Sequence, residues 1–488
     1  MTAAALAGAA CVLVLAVLAG NVRARHYTSV ADFYVAARAV RPWRNGAAIA
    51  AEFTSAAVCL GMAGLIVTHG GPMVWYPAGA AAGFVVVLAL VVAPLRRSGT
   101  FTLPDFAQWR LGRGWLRRFS TCWVLGIGLL FLVAQFHAAG AVTALLTGLP
   151  AWTGWLTVAG AAAGVALAGG MRSVTGVQAA QFWVKLVAFV GVGLVLWCTW
   201  RCGQVEAGLP GFAGYGQGDQ SLPGVLAVLL ACALGTMGLP QVVVRVYASA
   251  DGRRARRSIV AAQVLLGVFF LVPPLYGILG RAHLPGADGP EVVLLLPSRM
   301  VPGVAGDLLT GVLSAGAFAA FLATSCGVLG AVSGAVSACV TRAGPGPFRA
   351  TLVAVCGLAL VLTALTTPAG SVELVLAAFS LSAATFCPLL VLGIWWRRLT
   401  DAGVAGGFVV GGGLTAVLAG LEWVGVKSGV PLAVAVPLGF AAMVMISLLT
   451  PGRIPRDVAG MMARMHLPES SAGPLIDRLS REDDRSSF

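Results

Sequence analysis

The sequence predicts an all-α polytopic membrane protein with thirteen transmembrane helices, its N-terminus outside and its C-terminus in the cytoplasm. Three observations predict this. Of 488 residues, 58% are hydrophobic and only 10% charged, with a mean hydropathy of +0.90. A soluble domain carries about 25% charged residues, and a soluble globule of this composition would aggregate through exposed apolar patches. Intrinsic disorder is excluded by the same apolar excess. The second observation is a series of stretches without Asp, Glu, Lys or Arg, each long enough for a membrane helix of about 20 residues. The third is that basic residues gather in alternate loops.

In chain order, span 1 is the charge-free run 1–22. The run 53–95 is too long for one helix and divides at His69-Gly70-Gly71-Pro72 into spans 2 and 3. The run 119–171 divides at Gly148-Leu149-Pro150 into spans 4 and 5. Span 6, near 178–200, is interrupted only by Lys185. Spans 7 to 13 follow as 220–244, 258–280, 308–341, 350–372, 374–396, 402–421 and 428–452. One set of loops and the tail then holds 27 basic residues and the other set 4, with Lys185 alone in a span. A single missed or false helix would invert every later loop, so the alternation checks the count and gives the orientation. The net charge of +14 is therefore a topology signal, and no nucleic-acid partner is expected. Arg23 and Arg25 follow the first apolar run. A cleaved signal carries its charges in front, so span 1 is expected to be retained. Most of the 10 Cys lie in apolar runs, where Cys acts as a small hydrophobe. Cys198 and Cys202 are four apart on one helix, which suits packing better than a bridge. The tail from Pro451 is polar and is expected to be disordered, with at most an amphipathic helix around 456–467.

Two spans read as broken. Span 2, Gly46 to Thr68, contains Glu52, Thr54, Ser55, Gly61 and Gly64. Span 7 contains Gly235-Thr236-Met237-Gly238-Leu239-Pro240-Gln241, and Pro240 cannot continue a helical hydrogen-bond ladder. Gly and Pro also serve packing alone in membrane helices. The separation is more informative: spans 2 and 7 are five apart, so spans 2–6 and 7–11 form two units of opposite topology. Inverted repeats around broken helices are expected of secondary transporters, whose sites use bare backbone at mid-membrane. Span 9 adds small residues at close spacing and the central pair Thr324-Ser325. Small faces allow close packing, and hydroxyls can join carbonyls around a hard cation.

Five stretches in combination resemble the sodium:solute symporter family: SVADFYVAARAV (29–40), NGAAIAAEFTSAAVCLGMAGLI (45–66), PLRRSGTFTLPDFAQWRLG (94–112), GVQAAQFWVKL (176–186) and LGTMGLPQVVVRVYASADGRRARRS (234–258). The resemblance runs from about 29 to 450 and is nearest to the bacterial cation/acetate and monocarboxylate branch. It implies the leucine-transporter-type five-plus-five inverted repeat: a first helix and cytoplasmic loop (1–45), repeat 1 (46–200), repeat 2 (201–396), peripheral helices 12 and 13 (397–450) and the tail (451–488). It also implies a sodium site between spans 2 and 9, formed by the carbonyls of Ala51, Thr54 and Ala320 and by side-chain oxygens at 323 and 324. Thr324 fits the pattern; Ala323 stands where the family usually has a hydroxyl residue and removes one ligand of a hard cation.

That departure brings in a proton as the other coupling ion, with Glu52 and Lys185 as the coupling candidates. Alternatively both are structural, paired with backbone carbonyls or with each other. Ser55, Gln135, Thr236 and Gln241 are the expected substrate contacts. No arginine sits clearly at the bundle centre, because Arg245 lies near the cytoplasmic end of span 7. The expected wall of Ala, Gly, Val and Leu suits a short aliphatic acid held by backbone amides. The expected function is cation-coupled symport of acetate, propionate or pyruvate across the bacterial plasma membrane, with sodium as the coupling ion or alternatively a proton, no other cofactor, a small organic anion and the lipid bilayer as partners, and no enzymatic activity. The alternatives are a sensor or receptor subunit that has lost transport, or a symporter of another small solute such as an amino acid. Five scattered His (His26, His69, His137, His283, His466) give no metal or phosphate chemistry for a membrane enzyme.

Overall fold

The computed structural model describes residues 2–23, 36–70, 73, 75–202, 222–287, 290–340, 344–366, 371–423 and 434–467. The described residues are helical, without a strand. Asp32-Phe33-Tyr34 of the first motif, Gly71-Pro72 and the tail beyond 467 lie outside them.

The helices are α1 (Thr2–Arg23), α2 (Pro42–Phe53), α3 (Met62–His69, after a wide turn at Ala57–Gly61), α4 (Trp75–Leu90), α5 (Val92–Ser98), α6 (Leu103–Leu111), α7 (Gly114–Thr147), α8 (Trp152–Leu186), α9 (Val192–Arg201), α10 (Leu222–Gly235), α11 (Pro240–Tyr247), α12 (Gly252–Phe269), α13 (Val272–His283), α14 (Pro290–Met300), α15 (Val304–Val340), α16 (Pro345–Leu365), α17 (Ser371–Trp395), α18 (Asp401–Gly407), α19 (Gly413–Trp423), α20 (Ala435–Leu449) and α21 (Val458–His466). Eight described helical segments are long and apolar enough to cross a membrane, and three bent pairs raise this to eleven. One of the eight, Trp152–Arg201, runs for 50 residues and contains a non-helical Gly170 (φ 49°, ψ −150°). The apolar helix α20 is shorter.

Local sequence sets the helix ends. The hydroxyl of Thr102 accepts from Asp105 N at 3.3 Å to start α6, and Gly112 at φ 69° ends it. Asp251 caps α12 through Arg254 N at 2.7 Å. Arg110, fully buried on α6, donates to Gly393 O (2.8 Å) and Trp396 O (3.1 Å) at the end of α17, where a cation meets the negative helix end.

Helices α15 and α17 form the centre, each with 89% of its apolar stretch buried. The small residues of α15 let α8 and α1 lie directly against it. The α1 stretch is only 28% buried, so this helix lines the outside of the bundle.

The expected breaks in spans 2 and 7 are present. The axis turns 61° between Pro42–Phe53 and Ala57–Thr68, and 41° between Val225–Gly238 and Pro240–Tyr247. A third bend, 54° between α4 and α5, was not expected. Pro94 explains it: a proline has no N–H for the carbonyl four residues back and collides with it. The freed carbonyl is that of Leu90, and it accepts from Trp395 Nε1 at 3.1 Å.

The start of the tail carries a helix where the sequence allows an amphipathic one, around 456–467, and it packs on the bundle. Helix α21 buries Val458, Met462 and Met465 against α5. Arg97 Nη1 donates to Met465 O and His466 O, each at 3.2 Å, and the Arg464 guanidinium lies 5.8 Å from the Trp109 ring centre. The apolar face of this helix supplies enough burial to order it.

Candidate functional site

Each broken helix frees backbone groups that must find partners where water is scarce. In span 2 the ladder ends at Phe53, and Thr54 leaves the helical region (φ −76°, ψ 68°). Ser55 N turns back to Phe53 O at 2.9 Å, and Ala56 N donates to Gln135 Oε1 at 3.1 Å. Two side chains from other helices reach the freed carbonyls of span 2. Thr324 Oγ1 on α15 donates to Glu52 O at 2.9 Å. Lys185 Nζ on α8 donates to Ala51 O, to Thr54 O at 2.9 Å and to Thr54 Oγ1 at 2.6 Å. In span 7, Ser382 Oγ on α17 takes Gly235 O at 2.7 Å. Gly235 and Gly238 have no room for a Cβ, because α17 meets them there.

The two breaks face one small cavity, about 10 Å³, lined by Glu52, Phe53, Ser55, Val58, Phe131, Leu239, Gln241, Val242 and Phe379. Of the expected substrate contacts, Ser55 and Gln241 line it. Gln135 holds the break at Ala56 N. Thr236 does not join them: its hydroxyl donates to Cys232 O at 2.7 Å, and its side chain sits where a Cβ on Gly83 would be. The wall also differs from the expected aliphatic one. Phe53 lies 5.7 Å from Phe379, and Phe131 5.9 Å from Phe379, ring centre to ring centre. Three phenyl rings from three different spans therefore surround the polar edge.

Of the expected sodium ligands, Ala51 O and Thr54 O converge on a lysine, and Thr324 bonds to Glu52 O beside them. Ala51 O and Thr54 O, together with the Thr54 hydroxyl, use all three N–H donors of the fully buried Lys185. Ala323 offers no side-chain oxygen, and its carbonyl accepts from Gln178 Nε2 at 2.6 Å. Ala320 is buried on the same helix. In this arrangement the residues do not form an oxygen shell for sodium; the ammonium fills it.

Glu52 pairs with Arg245 rather than with Lys185. Arg245 Nε lies 3.3 Å from Glu52 Oε2, with both side chains almost wholly buried. Nη1 of Arg245 donates to Thr175 Oγ1 and Nη2 to Gln178 Oε1. A Cβ on Gly327 would overlap Glu52 Oε1, so this glycine of α15 makes room for the carboxylate. Arg245, expected at the cytoplasmic end of its span, therefore reaches the break of span 2. Gln181 was also missed. It lies between Gln178 and Lys185 on α8, buried, and neither of its amide atoms has a hydrogen-bond partner among the described residues. The spacing 178, 181, 185 places all three on one helical face, and that stripe was readable.

The profile of the sodium:solute symporter family matches residues 33–411. The chain belongs to this family. A Bacillus subtilis relative called an uncharacterized symporter, YwcA, is 28% identical over 414 residues, 80% of each chain. A Corynebacterium glutamicum relative called a monocarboxylic acid transporter is 28% identical over 473 residues, covering 84% of this chain and 85% of its own. Among solved structures, a Na+-coupled sialic acid symporter in a substrate-bound outward-open state superposes with a TM-score of 0.70 at 16% identity, covering 92% of this chain and 97% of that one. Mhp1, a nucleobase-cation-symport-1 family transporter in a closed conformation, gives a TM-score of 0.57 at 14% identity, covering 88% and 98%. The fold is that of these transporters, and this symporter-family member carries its two breaks inside it.

Proposed function

We propose that this chain is a symporter of short monocarboxylates that works by alternating access and is coupled to a proton through Lys185. The observation that carries the coupling is the Lys185 ammonium bonded to Ala51 O, Thr54 O and Thr54 Oγ1. Protonation decides whether α8 is tied to the break of span 2 by a cation with three donors or by a neutral amine with two. The carboxylate reading is supported by the relative named a monocarboxylic acid transporter and by the residues that line the cavity, which must widen to admit a solute. Its phenyl wall suits a short alkyl chain, while the first turn of α11 brings Gln241 and Val242 to its edge, at the positive end of a half-helix. Gln241 Oε1 has no partner among the described residues.

The proposed topology has thirteen spans, counting Trp152–Arg201 as two at Gly170 and α20 as one. The two five-helix repeats are 46–200 and 201–396. The arginine distribution puts the N-terminus outside and the C-terminus in the cytoplasm of a bacterium. A sodium-coupled version has one specific observation in its favour: Thr324 meets the same break, so sodium would enter by displacing Lys185.

Uptake of labelled acetate, propionate and pyruvate into vesicles, with sodium exchanged for choline at two pH values, tests the proposal. Sodium-independent uptake that rises at acid pH is expected. A strict sodium requirement at both pH values would establish the displaced-lysine version, and absence of uptake would favour a sensor or a carrier of another solute such as an amino acid.

A further inference from the structure

Two cavities lie on either side of one buried ion pair. The small cavity between the breaks is lined by Glu52. A larger one, about 620 Å³, is lined by Thr175 together with Arg41, Arg44 and Arg172, whose side chains are exposed. Arg245 joins them: it holds Glu52 through Nε and Thr175 through Nη1. Gln241, on the small cavity, and Arg245 are four residues apart on α11 and share a face. The contact path from the small cavity to the larger one is therefore Glu52, Arg245, Thr175. A buried ion pair stabilises a fold no better than well-packed apolar residues do, so rigidity alone does not account for one at this boundary. Its chemistry does: a guanidinium recognises carboxylates, and Glu52 presents the same group as the proposed solute.

We propose that the Glu52–Arg245 pair is the inner gate, and that the solute opens it by replacing Glu52 as the carboxylate on Arg245 before leaving through the arginine-rimmed vestibule. The exchange swaps one carboxylate for another on the guanidinium, and the cost of parting the buried Glu52 from Arg245 keeps the pair closed until the solute supplies the replacement. The gate itself does not depend on which solute is carried; the exchange step rests on the monocarboxylate reading.

Ser55→Cys places a thiol on the small cavity, behind the pair. In membrane vesicles a small, charged methanethiosulfonate is applied from the face that carries Arg44, and labelling is counted above that of matched chains retaining Ser55. Glu52→Gln and Arg245→Gln are each expected to raise the labelling rate of this thiol at least fivefold. Glu52→Gln changes charge and not volume, so it remains informative where Arg245→Gln fails to fold. Unchanged labelling in the folded variants overturns the gate. With propionate as solute, Glu52→Gln is expected to lower the half-saturating concentration about fivefold, because Arg245 has lost its internal competitor, and to slow turnover. An unchanged half-saturating concentration overturns the exchange step. If the parent chain takes up no short carboxylate, the monocarboxylate reading fails while the labelling still decides the gate.

Discussion

Lys185 presents three N–H donors to three oxygens, so its removal has a definite consequence. Lys185→Met keeps the volume but removes the cation, leaving Ala51 O with only the Thr54 hydroxyl at 3.3 Å and Thr54 O with only the Cys59 thiol at 3.4 Å as side-chain donors, at up to about 1–3 kcal/mol for each buried polar group so weakened. The expected outcome is loss of uptake against a gradient and loss of acid stimulation, while exchange of labelled for unlabelled acid persists. Acid-stimulated accumulation by this variant would remove Lys185 from coupling. The residue was legible because it is the only basic one deep in a span. Its partners were not, since they depend on where span 2 opens and which helix lies across the opening. Arg245 was misjudged for a related reason: its Cα lies near the end of the span, but its side chain runs back toward the break. The phenyl wall escaped because Phe53, Phe131 and Phe379 are far apart in sequence and meet only through packing.

At the scale of helices, the breaks were the best-determined feature. Gly238 and Pro240 announce one, and the polar cluster at Glu52–Ser55 the other. The bend between α4 and α5 has an equally plain cause in Pro94, yet it was hidden inside a continuous apolar run where length alone was weighed. Span 9 reverses the emphasis. Its stripe of small residues had a packing explanation, and one member, Gly327, has a more particular one in the room it leaves for Glu52. Gly327→Ala is expected to lower stability by about 1–3 kcal/mol, the usual consequence of overpacking, and to reduce uptake. An unfolding temperature and uptake rate equal to those of the parent would show that α2 and α15 have slack here.

Across the whole molecule, the charge pattern led to an orientation and the apolar runs to a helical bundle, but the docking of α21 depended on burial that the tail's polarity concealed. Met462 and Met465 are buried, and covering one such side chain is worth about 1.5–3 kcal/mol. A chain ending at Thr450 is therefore expected to unfold several degrees lower in detergent; an equal unfolding temperature would mean that α21 rests on the bundle without holding it. The ammonium on α8 has a consequence for the complete cycle. A counterion anchored to the polypeptide cannot be left behind in either bath. In the proposed proton-coupled cycle it would cross paired with a monoanion as a neutral assembly and, after giving up its proton, would return as a neutral amine. Such a carrier would be indifferent to voltage, running on the acidity difference alone and working equally well in a depolarised cell.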